Sequence, residues 1–152
     1  MGNIKQSIFA AIFSVLTIGM LTALTYKTDL GVFIIASFGS SMVLLFGYPD
    51  SPFAQPKNVF FGHLLTSIVG IFFLHFIPLP LFIIIPLGVG FGVGLMILFN
   101  VTHPPAGGNP IIVIIGGVSV EYLLSPVISG SIIIIIFAII LNRLILKKKY
   151  HS

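Results

Sequence analysis

The sequence predicts an all-α membrane protein: a helical bundle of four long spanning helices plus two broken or half-helix segments, arranged as an inverted 3+3 repeat. Three observations predict it. Of 152 residues, 57% are hydrophobic and only 7% are charged, with a mean hydropathy of +1.22; a soluble domain carries about 25% charged residues. Four apolar runs are each long enough to cross a bilayer, which takes about 20 residues at 1.5 Å per residue. Two further runs are interrupted by small polar residues, glycine and proline.

The four long runs are Ile8 to Tyr26, Val59 to Ile77, Leu79 to Phe99 and Leu123 to Leu146. The last contains the unbroken isoleucine run Ile132 to Ile136. A stretch apolar on every face touches lipid or lies deeply buried. The first run is long and shows no small-x-small cleavage site before a soluble domain, so it reads as a retained helix rather than a cleaved signal.

The two interrupted runs are Gly31 to Tyr48 and Ile111 to Val120. "FGSSMVLLFG" begins at Phe38 and "AGGNPIIVII" at Ala106, an offset of 106 − 38 = 68. At the same offset Gly39 meets Gly107, and Gly62 meets Gly130. The order long helix, broken segment, long helix also recurs. The chain then divides into unit one, about 7–78, and unit two, about 79–147, within a single transmembrane domain spanning 1–152, with a basic tail at 147–152. Three crossings per unit would invert the second. Four helices with two re-entrant segments remain a rival topology.

Seven basic and three acidic residues carry all the charge apart from histidine. Lys5 marks one end of the chain, and Arg143, Lys147, Lys148 and Lys149 mark the other. Positive residues flanking spans favour the cytoplasmic side, so both termini are expected there, in a bacterial cytoplasmic (inner) membrane. The tail reads as an anchor for anionic headgroups, and no nucleic-acid partner is expected. There are no cysteines, hence no disulfide framework and no thiolate metal site. His63, His75 and His103 lack clustered ligand spacing. No metal and no cofactor are expected.

"NVTHPPAGGNP", Asn100 to Pro110, is the least helical stretch and sits between two strongly apolar runs. Pro104 and Pro105 remove backbone donors and push the residues before them toward extended geometry. Gly107 and Gly108 permit a sharp turn. Asn109 reads as an N-cap and Pro110 as the first position of a short helix ending near Gly116. In unit one, Ser40 or Ser41 reads as the N-cap of a helix ending near Tyr48, and Val32 to Ala36 reads as extended. Two half-helix N-termini meeting at midplane would bind an anion through free N–H groups and the dipole. The other reading of the stretch is a short loop outside the membrane.

"THPPAGG", Thr102 to Gly108, resembles the signature of the HPP family of integral membrane proteins. "ASFGSSMVLLFGYPDSPFAQPKNVFFGH", Ala36 to His63, resembles that family's other characteristic stretch. The family is described as having four spanning helices and as transporters, and its plastid and cyanobacterial relatives have been linked to nitrite movement. The resemblance thus implies transport of a small anion, with nitrite the leading substrate. Some members carry an appended soluble regulatory domain; none is seen in this sequence, so regulation by such a module is not expected.

The expected substrate contacts are Ser40, Ser41, Thr102, His103, Gly107, Gly108 and Asn109. His103 can bind an anion, pass a proton or merely hold loop carbonyls. His63 faces either the pathway or the headgroups. His75 reads as interfacial. Asp50 and Lys57, near Gln55, form either a gate or a solvated loop. Asn58 reads as a helix cap and Glu121 as a wet loop charge. Asn100 and Thr102 bond either a ligand or freed carbonyls. Gly88, Gly90, Gly92 and Gly94 form two small-xxx-small pairs for close helix packing, within the bundle or in a homo-oligomer. An intramembrane enzyme is disfavoured, because no carboxylate clusters with a histidine to activate a nucleophile. A non-transporting accessory or structural subunit is the remaining alternative.

Overall fold

The computed structural model describes residues 4–148 and Tyr150. Lys149, His151 and Ser152 of the basic tail lie outside them. Among the described residues six α-helices carry the fold: α1 Ile4–Lys27, α2 Ala36–Met42, α3 Pro56–Phe76, α4 Leu81–Leu98, α5 Asn109–Gly116 and α6 Ser129–Ile139. A π-helical turn, Val43–Gly47, extends α2. The stretches Ile4–Lys27, Pro56–Phe76, Leu81–Leu98 and Val120–Ile145 are long and apolar enough to cross a membrane. Their outward faces are apolar and exposed, for example Ile8, Val15, Phe82, Leu98 and Ile136. In a bilayer such faces meet acyl chains, so their exposure carries no penalty.

The fourth long stretch is not one smooth helix. Ser125 is extended (φ −137°, ψ 115°), and its hydroxyl donates to the Val32 carbonyl. Regular helix resumes beyond Pro126, a residue that cannot continue an upstream hydrogen-bond ladder.

Contacts show how the passes run. At the tail end of the bundle Gln6 donates to the Phe46 carbonyl and Lys148 to Gln6. At the same end Tyr150 Oη donates to the Ala54 carbonyl at 2.7 Å. Burial pushes the Tyr150 phenol above its ordinary value, so it stays a donor. The opposite end holds the Val32–Ser125 contact and His75, whose Nε2 donates to the Val118 carbonyl at 3.0 Å. The segment from Val32 through α2 therefore runs from the far end to the tail end. Asn109 lies beside Ser67, Pro110 beside Gly70, and Val118 beside His75. So α5 runs alongside α3 in the same direction, and the chain from Val101 to Val118 traverses the bundle rather than turning back.

Each broken pass is a short non-helical lead followed by a helix. Of Val32 to Ala36, expected to be extended, Val32 to Ile35 is non-helical and Ile35 is extended (φ −131°, ψ 151°), whereas Ala36 is already helical. The helix begins at Ala36, earlier than the N-cap expected at Ser40 or Ser41, and no side chain caps it. In the second broken pass a 3₁₀ turn, Pro104–Gly108, leads straight into α5. Asn109 is consequently helical (φ −61°, ψ −40°) and not the N-cap. The α5 end at Gly116 is as expected, closed by Gly117 in the left-handed region (φ 58°).

Three close approaches need glycine. A Cβ on Gly70 would lie 2.9 Å from Pro110 Cα, where α5 crosses α3. A Cβ on Gly62 would lie 3.1 Å from the Val101 carbonyl and 3.6 Å from Ala106 Cβ. One on Gly130 would lie 2.7 Å from the Phe33 carbonyl and would overlap the Phe38 ring. These last two contacts are counterparts: 130 − 62, 101 − 33 and 106 − 38 all equal 68. Helices α3 and α6 are thus each grooved at a glycine to take a broken pass. The alternating glycines of α4 divide by face. Gly88 and Gly92 meet Pro110, Ile114 and Thr66, whereas Gly90 and Gly94 have nothing within 4 Å.

Asn142 ties the last helix to the first broken pass. Its Nδ2 donates to the Leu45 carbonyl at 2.8 Å and the Ala138 carbonyl at 3.0 Å, fully buried. Asn142→Leu leaves the Leu45 carbonyl unpaired in an apolar setting. The expected loss is about 1 kcal/mol, since interhelical hydrogen bonds in membranes average well below those in a vacuum. Thermal unfolding of the detergent-solubilised variant checks it.

Candidate functional site

Most of the buried polar side chains converge where the two broken passes meet α3. Ser37, Ser41, His63, Thr66, Ser67, His103 and Asn109 are all buried. Helical geometry explains the set. Ser37 and Ser41 are four residues apart on α2, as are His63 and Ser67 on α3, so each pair shares a face. His103 is extended (φ −133°, ψ 100°) because Pro104 follows it. That geometry points the ring inward while Ala106 N–H donates back to the His103 carbonyl at 2.9 Å.

The distances are those of one connected network. Ser41 Oγ lies 3.1 Å from His63 Nε2 and 2.8 Å from His103 Nε2. His103 Nδ1 lies 2.7 Å from the Phe53 carbonyl. Asn109 Nδ2 lies 3.1 Å from each of His63 Nδ1, the His63 carbonyl and Ser67 Oγ. Ser37 Oγ donates to Asn109 Oδ1 at 2.7 Å. The two imidazoles meet edge to face with centroids 4.9 Å apart, and Phe38 closes the other side of His63 at 5.0 Å. Each member is neutral or can be, and each has a partner. That is the condition under which polar groups are tolerated at this depth.

Several expected site residues fall here and others do not. Ser41, His103 and Asn109 are central, and His63 is fully buried in the network rather than at the headgroups. Ser40 is exposed, on the face of α2 turned away from the network, and is not a contact. The Thr102 hydroxyl bonds the Met96 carbonyl at 3.4 Å, so it satisfies freed backbone. Gly107 and Gly108 are half-buried, and neither has a positive φ; the turn is made by 3₁₀ geometry. Asn100 does adopt a positive φ (53°) and ends α4.

The helix starts do meet, through Ser37 and Asn109, but on the α5 side the leading residues are Pro104 and Pro105, which have no N–H. Donors therefore come more from side chains than from backbone. Asn58 does not cap α3, which begins at Pro56; its Nδ2 donates to the Thr102 carbonyl at 2.9 Å. Ser37, Thr66 and Ser67 were missed, although their spacing from Ser41 and His63 marked the shared faces.

Asp50 and Lys57 are both exposed. Reversing both charges (Asp50→Lys with Lys57→Asp) is expected to shift stability by no more than about 0.5 kcal/mol. A melting curve in detergent checks this. His75 and Glu121 are exposed, as expected. Among the described residues no group of three or more His, Cys, Asp or Glu side chains could hold a metal ion.

A helical bundle with four candidate spans and a buried polar junction defines a polytopic integral membrane protein. The chain belongs to the HPP family: the family model for the HPP transmembrane region matches residues 1–151. Two transmembrane proteins of Dictyostelium discoideum are similar to it. One is 32% identical over 127 residues, covering 77% of this chain and 44% of that protein. The other is 32% identical over 126 residues, covering 78% of this chain and 40% of that protein. The chain therefore spans less than half the length of these curated relatives. No solved structure matches it.

Proposed function

We propose that this chain carries a small inorganic anion, nitrite foremost, across the membrane, with the Ser41–His63–His103–Asn109 network as its midpoint station. One observation carries the reading: a closed, uncharged set of hydrogen-bond donors lies buried where two broken passes cross the bundle. Imidazole N–H, hydroxyl and amide groups suit a monovalent anion, because they supply donors without a fixed cation that would hold it too tightly. Nitrite is preferred through the family resemblance, and the network itself is consistent with any small anion of that charge.

The side chains are fully occluded, so transport requires movement. The counterpart glycine contacts at Gly62 and Gly130 support an inverted 3+3 repeat whose halves rock about this junction. Both ends of the described chain lie at one end of the bundle, and the clustered positive residues there favour the cytoplasmic side. The protein acts without a cofactor and is not an enzyme in this reading; the lipid bilayer and the anion are its partners. Self-association through the open Gly90–Gly94 face of α4 is compatible with it.

The test is nitrite uptake by liposomes containing the purified protein, corrected with protein-free liposomes for leakage of nitrous acid. Saturable, protein-dependent uptake supports the reading. Absence of flux for nitrite and other small anions, with the protein shown to be folded, leaves the accessory-subunit alternative.

A further inference from the structure

The network has a direction that the anion site does not require. His103 Nδ1 faces the Phe53 carbonyl at 2.7 Å. A carbonyl only accepts, so this nitrogen carries the hydrogen. In the neutral ring Nε2 is then bare and accepts from Ser41 Oγ at 2.8 Å. His63 is the reverse. The atom 3.1 Å from its Nδ1 also lies 3.1 Å from the His63 carbonyl, which fixes that atom as the Asn109 amide nitrogen. An amide nitrogen cannot accept, so a hydrogen on His63 Nδ1 would face it unpaired; Nδ1 is bare, and the ring hydrogen sits on Nε2, donating to Ser41 Oγ at 3.1 Å. One hydroxyl receives from one histidine and donates to the other.

We propose that His63, Ser41 and His103 form a proton relay through the centre of the bundle, bridged by the Ser41 hydroxyl and coupled to the movement of the anion. The coupling rests on the transport reading above; the relay itself does not. A proton arrives at His63 Nδ1 as the Asn109 amide turns away. The Nε2 proton passes to Ser41 Oγ, and the Ser41 hydrogen passes to His103 Nε2. The Nδ1 proton of His103 leaves to water at the tail end as the Phe53 carbonyl, which only accepts a hydrogen bond, swings aside in the loop that Tyr150 marks as that end. One proton enters and one leaves; three N–H or O–H bonds form and three break, with no change of oxidation state.

Ser41 also has a resting place for its hydrogen. The Ser37 carbonyl lies 3.1 Å from Oγ, so the hydroxyl can turn there when His103 Nε2 is protonated. No fixed charge biases the rings. The groups in contact with them are Phe38 and Ser41 from α2, Asn109 from α5 and the Phe53 carbonyl from the loop, with Ser37 and Ser67 bonded to Asn109 and Thr66 to the His63 carbonyl. Asp50 and Lys57 are exposed and hydrogen-bond neither ring. A relay of three small shifts needs this balance, since a salt-bridged imidazole would hold its proton.

The experiment is ¹⁵N NMR of histidine-labelled full chain in lipid nanodiscs near neutral pH, with His63→Gln and His103→Gln used for assignment. The expected result is two neutral rings in opposite tautomers, protonated at Nε2 for His63 and at Nδ1 for His103. Ser41→Ala should shift the bare Nε2 of His103, and Ser41→Thr, which keeps the hydroxyl, should restore it. Equal tautomers in the two rings, or a His103 signal indifferent to Ser41→Ala, overturn the relay. Coupling is read separately, from an entrapped pH dye during anion uptake. Protein-dependent proton entry with the anion, slowed about a hundredfold relative to wild type by Ser41→Ala, supports it. Anion uptake without proton entry overturns the coupling. Opposite tautomers with no anion flux at all overturn the transport reading and leave the relay standing.

Discussion

His103→Ala is expected to lower protein-dependent nitrite uptake in liposomes by at least about tenfold. The removal takes the hydrogen-bond donor from the Phe53 carbonyl at 2.7 Å and one partner from the buried Ser41 Oγ at 2.8 Å, whose hydrogen then turns to the Ser37 carbonyl. An unpaired buried polar group costs about 1–3 kcal/mol, and about 1.4 kcal/mol is a factor of ten in an equilibrium constant. Part of that loss falls on folding and part on the anion, so two companion variants separate them. His103→Gln keeps a neutral polar side chain of similar reach and should recover stability, while uptake stays low if the imidazole itself is needed. His75→Ala removes an exposed histidine at the far end of the bundle, bonded only to the Val118 carbonyl. It should leave uptake within about twofold of wild type, as for other exposed positions. Wild-type uptake by a folded His103→Ala protein would place the anion path elsewhere.

The legible part of the fold is the part fixed by hydrophobic length. Apolar runs of about 20 residues leave no alternative to spanning helices, and the four stretches expected lie within a few residues of those observed. What the sequence concealed was local geometry. Helix α2 starts at Ala36 rather than at a serine cap because membrane burial favours closing the backbone early, with or without a side chain to cap it. Asn109 stands in a typical capping position, yet the 3₁₀ turn from Pro104 to Gly108 satisfies the backbone first and frees its side chain for His63 and Ser67. The interruption at Ser125 is hidden inside an otherwise convincing run, and only Pro126 hints at it.

The site was half legible for the same reason. Ser41, His103 and Asn109 belong to the two segments whose composition is out of place in an apolar chain, so they attract notice. Ser37 and Ser67 do not, because single serines are ordinary in membrane helices. They become informative only when paired at a spacing of four with Ser41 and His63. Ser40 shows the converse. It has the right residue type in the right segment, but it is one helical step, about 100°, from Ser41, and that step turns it out of the network.

The second large effect is expected at Gly130. Gly130→Ala places a Cβ 2.7 Å from the Phe33 carbonyl, well inside van der Waals contact, and against the buried Phe38 ring. Phe33 O is backbone and cannot swing aside as a side chain tip would, so the broken pass must shift away from α6. Overpacking of this kind costs about 1–3 kcal/mol and sometimes more. The expected result is a melting temperature lowered by several degrees and loss of uptake in whatever protein remains folded. Gly62→Ala should behave alike, with its Cβ 2.8 Å from His103 Cβ and 3.1 Å from the Val101 carbonyl. Here the displaced group is the histidine of the network, so uptake should fall further than stability. Gly90→Ala and Gly94→Ala, with nothing within 4 Å, should be tolerated in monomeric protein. Normal uptake in both Gly62→Ala and Gly130→Ala would mean that the grooves at these two positions are packing alone. A matched loss in the pair, with α4 unaffected, is what two halves moving against each other at equivalent positions require.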